Sequence, residues 1–433
     1  MKSLRKDIFW GIDRFFNKGR IKKNYLDVKY SIENNHTPDF FKKRKMKITA
    51  MLTHAVSSTE FYKKYSDSVS LQDFPVIHKN LIRDHFDDFV SSDLDIKKCK
   101  RVYTSGSTGA PFSVLHDSTK IRRSIADTIF FLEITGYEMG QKLFYIKIWP
   151  DFFSKKERLK LWFKNLIPQS VFKLEDEDIN CLIQKIRNDV SKKSFLGYSS
   201  SFQKICYHLD QQKAEPIDSR VTSVITMSEG LNEYTRKGIQ KYFGVNPISR
   251  YSNNENGILA QQDPTDASRF IINSASYYIE VLDLYRDQPV KNGELGRIVV
   301  TDLFNYAMPM IRYDTGDVGV LTTHKNGVCY LQSIEGRKLD LIYNTKGDIV
   351  PSHLSYKLCK YGTYKQFQLI QYGEKDYCIK LNTEQKVDET TMICEFKGYF
   401  GKDASIKIEY VDEIPLLCSG KRKEVLNTFH THA

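Results

Sequence analysis

From about residue 100 onward the chain alternates short apolar runs with longer amphipathic ones, and that alternation constrains its fold more than any other feature. RVYTS, KLFYIKIW, SFLGYSS, SVITM, NPISRYS and GRIVVTDL are short and rich in β-branched and aromatic residues. They read as strands. Between them, Glu175 to Val190, Ser201 to Gln212 and Asn232 to Phe243 read as helices. Strands alternating with helices predict an α/β fold of layered, largely parallel sheets. Residues 1 to about 95 read as helical, FFKKRKMKITAMLTHAVSSTEFYKKY being the clearest stretch. The texture changes again near 336–342. After it come strands in TYKQFQLIQY, YCIKLNT and SIKIEYV and a helix around 388–400, the makings of a small α+β unit. The expected division is therefore a large domain over residues 1–338 and a small, mobile C-terminal one over 339–433. No internal repeat or low-complexity tract interrupts this order.

The 433 residues are 41% hydrophobic and include 26 Tyr and 26 Phe, ample material for a core built on large rings. No apolar run approaches the roughly 20 residues that span a bilayer. The basic N-terminus lacks the apolar centre and small-residue cleavage site of a secretory signal, so a cytoplasmic location is expected. Eight cysteines lie scattered, with no CxxC or CxC pair and no histidine at zinc-ligand spacing. They read as reduced thiols. HExxH is absent. The net charge is +12, and residues 1–47 hold 14 Lys or Arg against 5 Asp or Glu. Such a stretch attracts an acidic partner or weakly a membrane surface, or is simply a solvated basic face. No RNP-type motif or zinc finger accompanies it, so no nucleic-acid partner is expected.

Chemistry is carried by a series of short segments. Tyr103-Thr104-Ser105-Gly106-Ser107-Thr108-Gly109-Ala110-Pro111 follows a strand with an unbroken run of small and hydroxylic residues. Such a loop presents backbone N–H groups and hydroxyls together and suits a polyphosphate, although a plain polar turn has the same composition. It is not a Walker A loop. Ser228-Glu229-Gly230 follows the strand SVITM, and Tyr251-Ser252-Asn253-Asn254-Glu255 ends another. Strand C-termini are where open α/β sheets hold ligands. Glu255 is a hard oxygen donor suited to Mg²⁺ carried by ATP, or else a capping carboxylate. Asp317, in Ile311-Arg312-Tyr313-Asp314-Thr315-Gly316-Asp317, follows a tight glycine turn and is able to accept two ribose hydroxyls, or to cap that turn. Pro415-Leu416-Leu417-Cys418-Ser419-Gly420-Lys421 sets a lysine on a short glycine loop.

Together and in this order the segments resemble the boxes of the adenylate-forming superfamily of acyl-CoA synthetases. The resemblance is to the phenylacetate–CoA ligase branch, and within it to the group associated with capsular polysaccharide biosynthesis, and runs from about Leu71 to Asn427. It implies a phosphate loop at Thr104–Gly109, an adenine-binding turn at Ser228–Gly230 and a nucleotide-binding box at Tyr251–Asn254. It further implies Mg²⁺ on Glu255, ribose on Asp317, Arg337 near ribose and phosphate, a hinge at Leu339 and Asp340, and Lys421 as the adenylating lysine. The implied reaction is attack of a small-molecule carboxylate on the α-phosphorus of ATP, with release of pyrophosphate, followed by acyl transfer to CoA. Transfer to the amine of an amino-sugar or amino acid is the alternative acceptor step. A nucleotide-binding scaffold without catalysis is the alternative of a different class.

The chain departs from the family pattern at several places. Phe112 stands where many members carry lysine, Ser252 replaces a glycine, and Asn254 replaces the Ser or Thr whose hydroxyl touches the α-phosphate. Leu339 takes a hinge position often held by Asp, with Asp340 next.

Overall fold

The computed structural model describes residues 2–68, 70–104, 112–217, 220–350, 358, 361–362, 364, 366–415 and 422–429, the side chains of 2, 3 and 339 excepted. It divides into two units, residues 1–140 with 250–334, and residues 141–249 with 335–433.

The first unit opens with three helices, Lys2–Phe16, Arg20–Glu33 and Pro38–Ser58. The third starts where sequence rules place a start. Thr37 accepts the Phe40 N–H at 3.3 Å and Pro38 fills the first turn. Its buried Ala55 packs with Tyr62, Phe74, Ile77, Phe89, Phe112 and Tyr313 in one apolar cluster. A fourth long helix, Ser118–Glu133, is capped by Asp117, whose other oxygen receives the Tyr306 N–H at 2.8 Å. That helix buries charge as well as apolar surface. Arg123 is enclosed and donates to Asp27, Ser276 and the Ala275 carbonyl, while Lys120 is paired with Asp302. Buried charges persist only when matched in this way.

The strands of this unit pair antiparallel. Tyr277–Leu282 lies beside Leu295–Asp302, which lies beside Tyr313–Thr323, and Gly257–Asp263 sits between Asp266–Ile272 and Ile248–Asn253. Several of their connections are five residues or shorter, which permits hairpins and forbids the longer crossover that parallel pairing needs. Lys100–Thr104 and Phe112–His116 make a separate antiparallel pair, with Thr104 opposite Phe112.

Parallel pairing is concentrated in the second unit. Lys142–Lys147 pairs with Leu166–Ser170 and with Lys193–Tyr198, and the latter with Val221–Met227, all parallel. Helices Asp176–Arg187, Ser199–Gln211 and Glu233–Phe243 alternate with these strands. Ile179, Leu182, Ile183 and Ile186 form the buried stripe of the first at helical spacing. Between the other two, a Cβ on Gly238 would lie 2.7 Å from Cys206, so glycine permits their close approach. The fold is thus α/β with a mixed set of strands. Past residue 340, strands Ser405–Tyr410, Asp376–Asn382, Gln366–Gln371 and Val425–Asn427 form a four-stranded sheet in that order. Helix Glu389–Phe400 packs Met392, Phe396 and Phe400 into the same core as Phe367, Leu369 and Tyr377. The Tyr377 and Phe400 rings stack at 4.2 Å. No helix among the described residues is long and apolar enough to cross a membrane.

Candidate active site

In the first unit, three strands bring several expected site residues together. Glu255 follows Ile248–Asn253 and is 2% exposed. Its Oε1 accepts the Tyr313 hydroxyl at 2.8 Å and lies 3.0 Å from Lys79 Nζ. Both contacts fall on Oε1, and Oε2 has no hydrogen-bond partner among the described residues. The backbone of Glu255 is fixed too, because His116 Nε2 donates to its carbonyl at 2.8 Å. That bond selects the Nε2–H tautomer, and burial, aided by the charge of Lys120, pushes the His116 pKa down. The imidazole is therefore a neutral donor at physiological pH. Phe112 lies parallel to Tyr313 with centroids 6.5 Å apart and 5.7 Å from Lys79 Nζ.

Asp317 sits at the same group of strands. Arg297 pairs with Val318 and Val299 with Asp314, so the strand Tyr313–Thr323 carries extra residues opposite Ile298. The expected tight turn is thus a β-bulge inside a strand, with Gly316 at φ 76° supplying the left-handed residue it needs. The bulge turns Asp317 toward Tyr251, whose hydroxyl donates to Oδ2 at 2.8 Å. Asn254 Nδ2 donates to the Tyr103 carbonyl at 3.1 Å, joining this box to the strand that precedes the expected phosphate loop. Thr104 Oγ1, Asn253 Nδ2 and both amide atoms of Asn256 are buried without a partner among the described residues. Buried polar atoms are rarely left unpaired, so this cluster has donors and acceptors to offer a ligand.

A second constellation lies in the second unit. Ser228 has φ 72°, a costly left-handed conformation for a residue with a Cβ and one that marks functional turns. Beside it, the Glu229 carboxylate receives the Ser200 N–H at 2.8 Å, at the N-terminus of helix Ser199–Gln211. That helix has no side-chain cap of its own, so Glu229 serves as one. The other Glu229 oxygen receives the Arg422 N–H at 2.7 Å. Asn232 caps helix Glu233–Phe243 through Oδ1 and donates Nδ2 to Glu424 at 2.9 Å. Arg422 Nε donates to the Ile414 carbonyl at 2.7 Å, so the residues flanking 415–421 are tied to each other. At the expected hinge, Lys338–Asp340 forms a short 3-10 turn after the strand that ends in Arg337, and Asp340 accepts Lys423 Nζ at 2.8 Å. Ser105, Gly106, Ser107, Thr108, Gly109 and Lys421 lie outside the described residues, as does the side chain of Leu339.

Burial pushes the Glu424 carboxyl up to about 7; the negative charge of Glu229 adds to this, while the Asn232 hydrogen bond and Arg422 oppose it. A carboxyl whose folded pKa lies above its unfolded value favours folding most when protonated, so its contribution is full below about 4.5 and is lost as pH rises through about 7. Melting temperature should accordingly fall between pH 5 and 8. The part-exposed side chain keeps the effect to on the order of 1–2 kcal/mol. Glu424→Gln should flatten that slope, and a parallel slope in the variant would assign the pH dependence to another group.

Lys79, His116 and Tyr313 around Glu255, and Asn232, Arg422 and Glu424 around the second cluster, were not singled out by sequence. Tyr313 lies inside the IRYDTGD segment and was within reach of pattern reasoning. Lys79 is far from Glu255 along the chain, and no local signal connects them.

Residues 341–428 match the family model of the CapK C-terminal domain. The chain is 22% identical to Protein CapK of Staphylococcus aureus over 96% of this chain and 94% of that protein. It is likewise 22% identical to phenylacetate–coenzyme A ligase of Pseudomonas putida, over 71% of this chain and 73% of that enzyme. Among solved structures, 2-hydroxyisobutyryl-CoA ligase in the postadenylation state with 2-HIB-AMP superimposes with a TM-score of 0.71 at 15% identity, covering 91% of this chain and 90% of that one. The likeness to that structure is one of fold. These matches agree with the resemblance that the ordered boxes of the sequence carry, to the adenylate-forming superfamily and its phenylacetate–CoA ligase branch.

Proposed function

We propose that the chain uses ATP to activate a carboxylic acid as an acyl-adenylate and then passes the acyl group to CoA. The observation that carries this reading is the cluster in which Glu255 meets Tyr313 and Asp317 meets Tyr251 through their side chains, with unpaired buried polar atoms beside it. The residues expected to meet metal, phosphate and ribose share one face of chemistry, although they come from segments far apart in sequence. The relatives named above support the reaction class.

In this reading the carboxylate attacks the α-phosphorus and pyrophosphate leaves. The barrier is the meeting of two anions, so the chain must supply positive charge and fixed donors. Lys421 supplies charge between the acid and the α-phosphate. The backbone and hydroxyls of Ser105–Gly109 hold the β- and γ-phosphates, with Thr104 at the loop's edge. Asp317 and Arg337 orient the nucleoside, and Ser228, Glu229 and Gly230 hold the base. Ser252, Asn253 and Asn254 line the approach to the α-phosphate. The donor set fits Mg²⁺: Glu255 offers one hard oxygen, and no group of three or more metal-binding side chains forms among the described residues. A single carboxylate suits an ion whose other ligands are phosphate and water. Bound there, Mg²⁺ would offset charge on the polyphosphate.

For the second half-reaction, residues 339–433 move as a small domain about Leu339 and Asp340, so that the acceptor replaces Lys421 at the adenylate. An amine acceptor, from an amino-sugar or amino acid in surface polysaccharide synthesis, is the second reading, which rests on the resemblance of the sequence boxes to the capsular polysaccharide group. With ATP and CoA as its co-substrates in this reading, the expected location is the cytoplasm. ATP–pyrophosphate exchange across a panel of carboxylic acids tests the first step, and trapping product with CoA or with amino-sugars separates the acceptors. Absence of exchange with every acid, alongside intact ATP binding, would leave a nucleotide-binding scaffold.

Asp317→Ala should weaken ATP binding by roughly 1.5–3 kcal/mol for each charge-assisted bond to ribose that it loses. The same change removes the acceptor of the Tyr251 hydroxyl, so Tyr251→Phe is the control for that contact. Melting with and without ATP reads the effect. A ligand-induced shift equal to the parent's would make Asp317 a purely structural member of the bulge.

A further inference from the structure

We infer that the helix Lys2–Phe16 docks on an anionic lipid surface. Leu4, Ile8, Ile12, Phe15 and Phe16 on this helix are 60%, 40%, 42%, 86% and 83% exposed. At 100° per residue, Leu4, Ile8, Gly11, Ile12 and Phe15 fall within an arc of about 100°, and Phe16 borders it. A Cβ on Gly11 would meet nothing within 4 Å, so the stripe has no protein covering it there. Isolated exposed apolar residues are ordinary, but a continuous stripe ending in two almost fully exposed phenylalanines is an interaction surface.

The opposite side of the helix explains why the stripe faces outward. Asp13 is buried and accepts the Ile21 and Lys22 N–H groups at 3.2 and 3.0 Å, capping helix Arg20–Glu33. Trp10 packs against Tyr25 with centroids 5.8 Å apart. Tyr25 in turn donates to Glu133 at 2.6 Å, anchoring the pair to helix Ser118–Glu133. With Asp13 and Trp10 fixed inward, rotation about the helix axis is set.

Charge selects the partner. A cleft of about 570 Å³ opens beside the stripe and is lined by Trp10, Arg14, Lys22, Lys23 and Leu26. Its one acid, Asp13, is already engaged by two backbone N–H groups. Exposed bases next to an apolar stripe, with an aromatic ring between them, match the acyl boundary and the phosphate layer of an anionic bilayer. A second copy would set like charge against like charge. The helix is 15 residues long and no described helix is able to span, so the contact is with the surface.

The test is co-sedimentation of the full chain with vesicles of phosphatidylcholine, alone or mixed with phosphatidylglycerol, at low and high salt. Binding to the mixed vesicles only, weakened by salt, is expected. Phe15→Ser/Phe16→Ser should weaken it on the order of 100-fold, and Lys22→Ala/Lys23→Ala roughly fivefold per charge, both with the parent's melting temperature. No binding to either vesicle, or equal salt-independent binding to both, would overturn the inference. So would a concentration-dependent dimer that Phe15→Ser/Phe16→Ser abolishes, since it would assign the stripe to self-association. None of these outcomes bears on adenylation, which is read separately by exchange.

Discussion

Lys421→Ala should cut acyl-adenylate formation by roughly two or more orders of magnitude, the usual loss when a charge that meets the transition state is removed. The expectation begins with the sequence, where PLLCSGK sets Lys421 one residue before Arg422. The structure adds what holds the neighbouring residues. Arg422 donates its N–H to Glu229, in the turn assigned to the base, and Ile414 accepts Arg422 Nε on the far side of the segment. Two residues on, Glu424 accepts Asn232. The chain beside Lys421 is thus tied to the 228–232 turn through two hydrogen bonds and to Ile414 through a third, a supporting shell of the kind a catalytic group needs. Nucleotide affinity should survive the substitution, because phosphate, ribose and metal contacts are assigned to other segments. ATP–pyrophosphate exchange and the ATP-induced melting shift, measured on the same preparation, separate the two effects. Near-parent exchange in Lys421→Ala would make the residue a surface lysine. A lost melting shift would instead make it a binding residue.

How much of this was legible in the chain depended on the range of the interaction. The strands and helices of 142–243 were readable because each stripe is local: Ile179, Leu182, Ile183 and Ile186 declare a helix without reference to anything else. The small α+β unit was readable for the same reason, Met392, Phe396 and Phe400 recurring at helical spacing. Which strands pair antiparallel was less legible. Strands of 248–337 look like those of 142–227 in composition, and only their short connections make them hairpins. Gly316 was identified as a special position, but a turn and a bulge ask the same conformation of glycine, so the sequence left them indistinguishable. The partners of Glu255 were hidden for a different reason. Lys79, His116 and Tyr313 reach it from three separate elements, and nothing in local spacing encodes such a meeting.

That enclosure makes Glu255 the sharpest test of the metal assignment. Its charge is met by Lys79 at 3.0 Å and by the Tyr313 hydroxyl, both on Oε1. If Oε2 binds Mg²⁺ when ATP is present, Glu255→Gln should raise the Mg²⁺ concentration needed for half-maximal exchange by on the order of 10-fold or more, because a neutral amide is a poor ligand for a hard cation. The geometry also supplies a control of opposite sign. Lys79→Gln keeps the carboxylate and removes the ammonium that competes with the metal for it, so the Mg²⁺ requirement should stay level or fall. A purely structural ion pair predicts instead that both variants melt earlier and leave the Mg²⁺ curve alone, since Lys79→Gln strands the buried Glu255 and Glu255→Gln removes the partner of the part-exposed Lys79. Asn254→Thr completes the set. Its amide donates to the Tyr103 carbonyl from an exposed position, so the substitution sacrifices one weak bond while restoring a hydroxyl beside Glu255. Exchange should be maintained or improved. Exchange measured against Mg²⁺ for the parent and all three variants decides the matter, and superimposable curves for the parent and Glu255→Gln would take Glu255 out of the metal site.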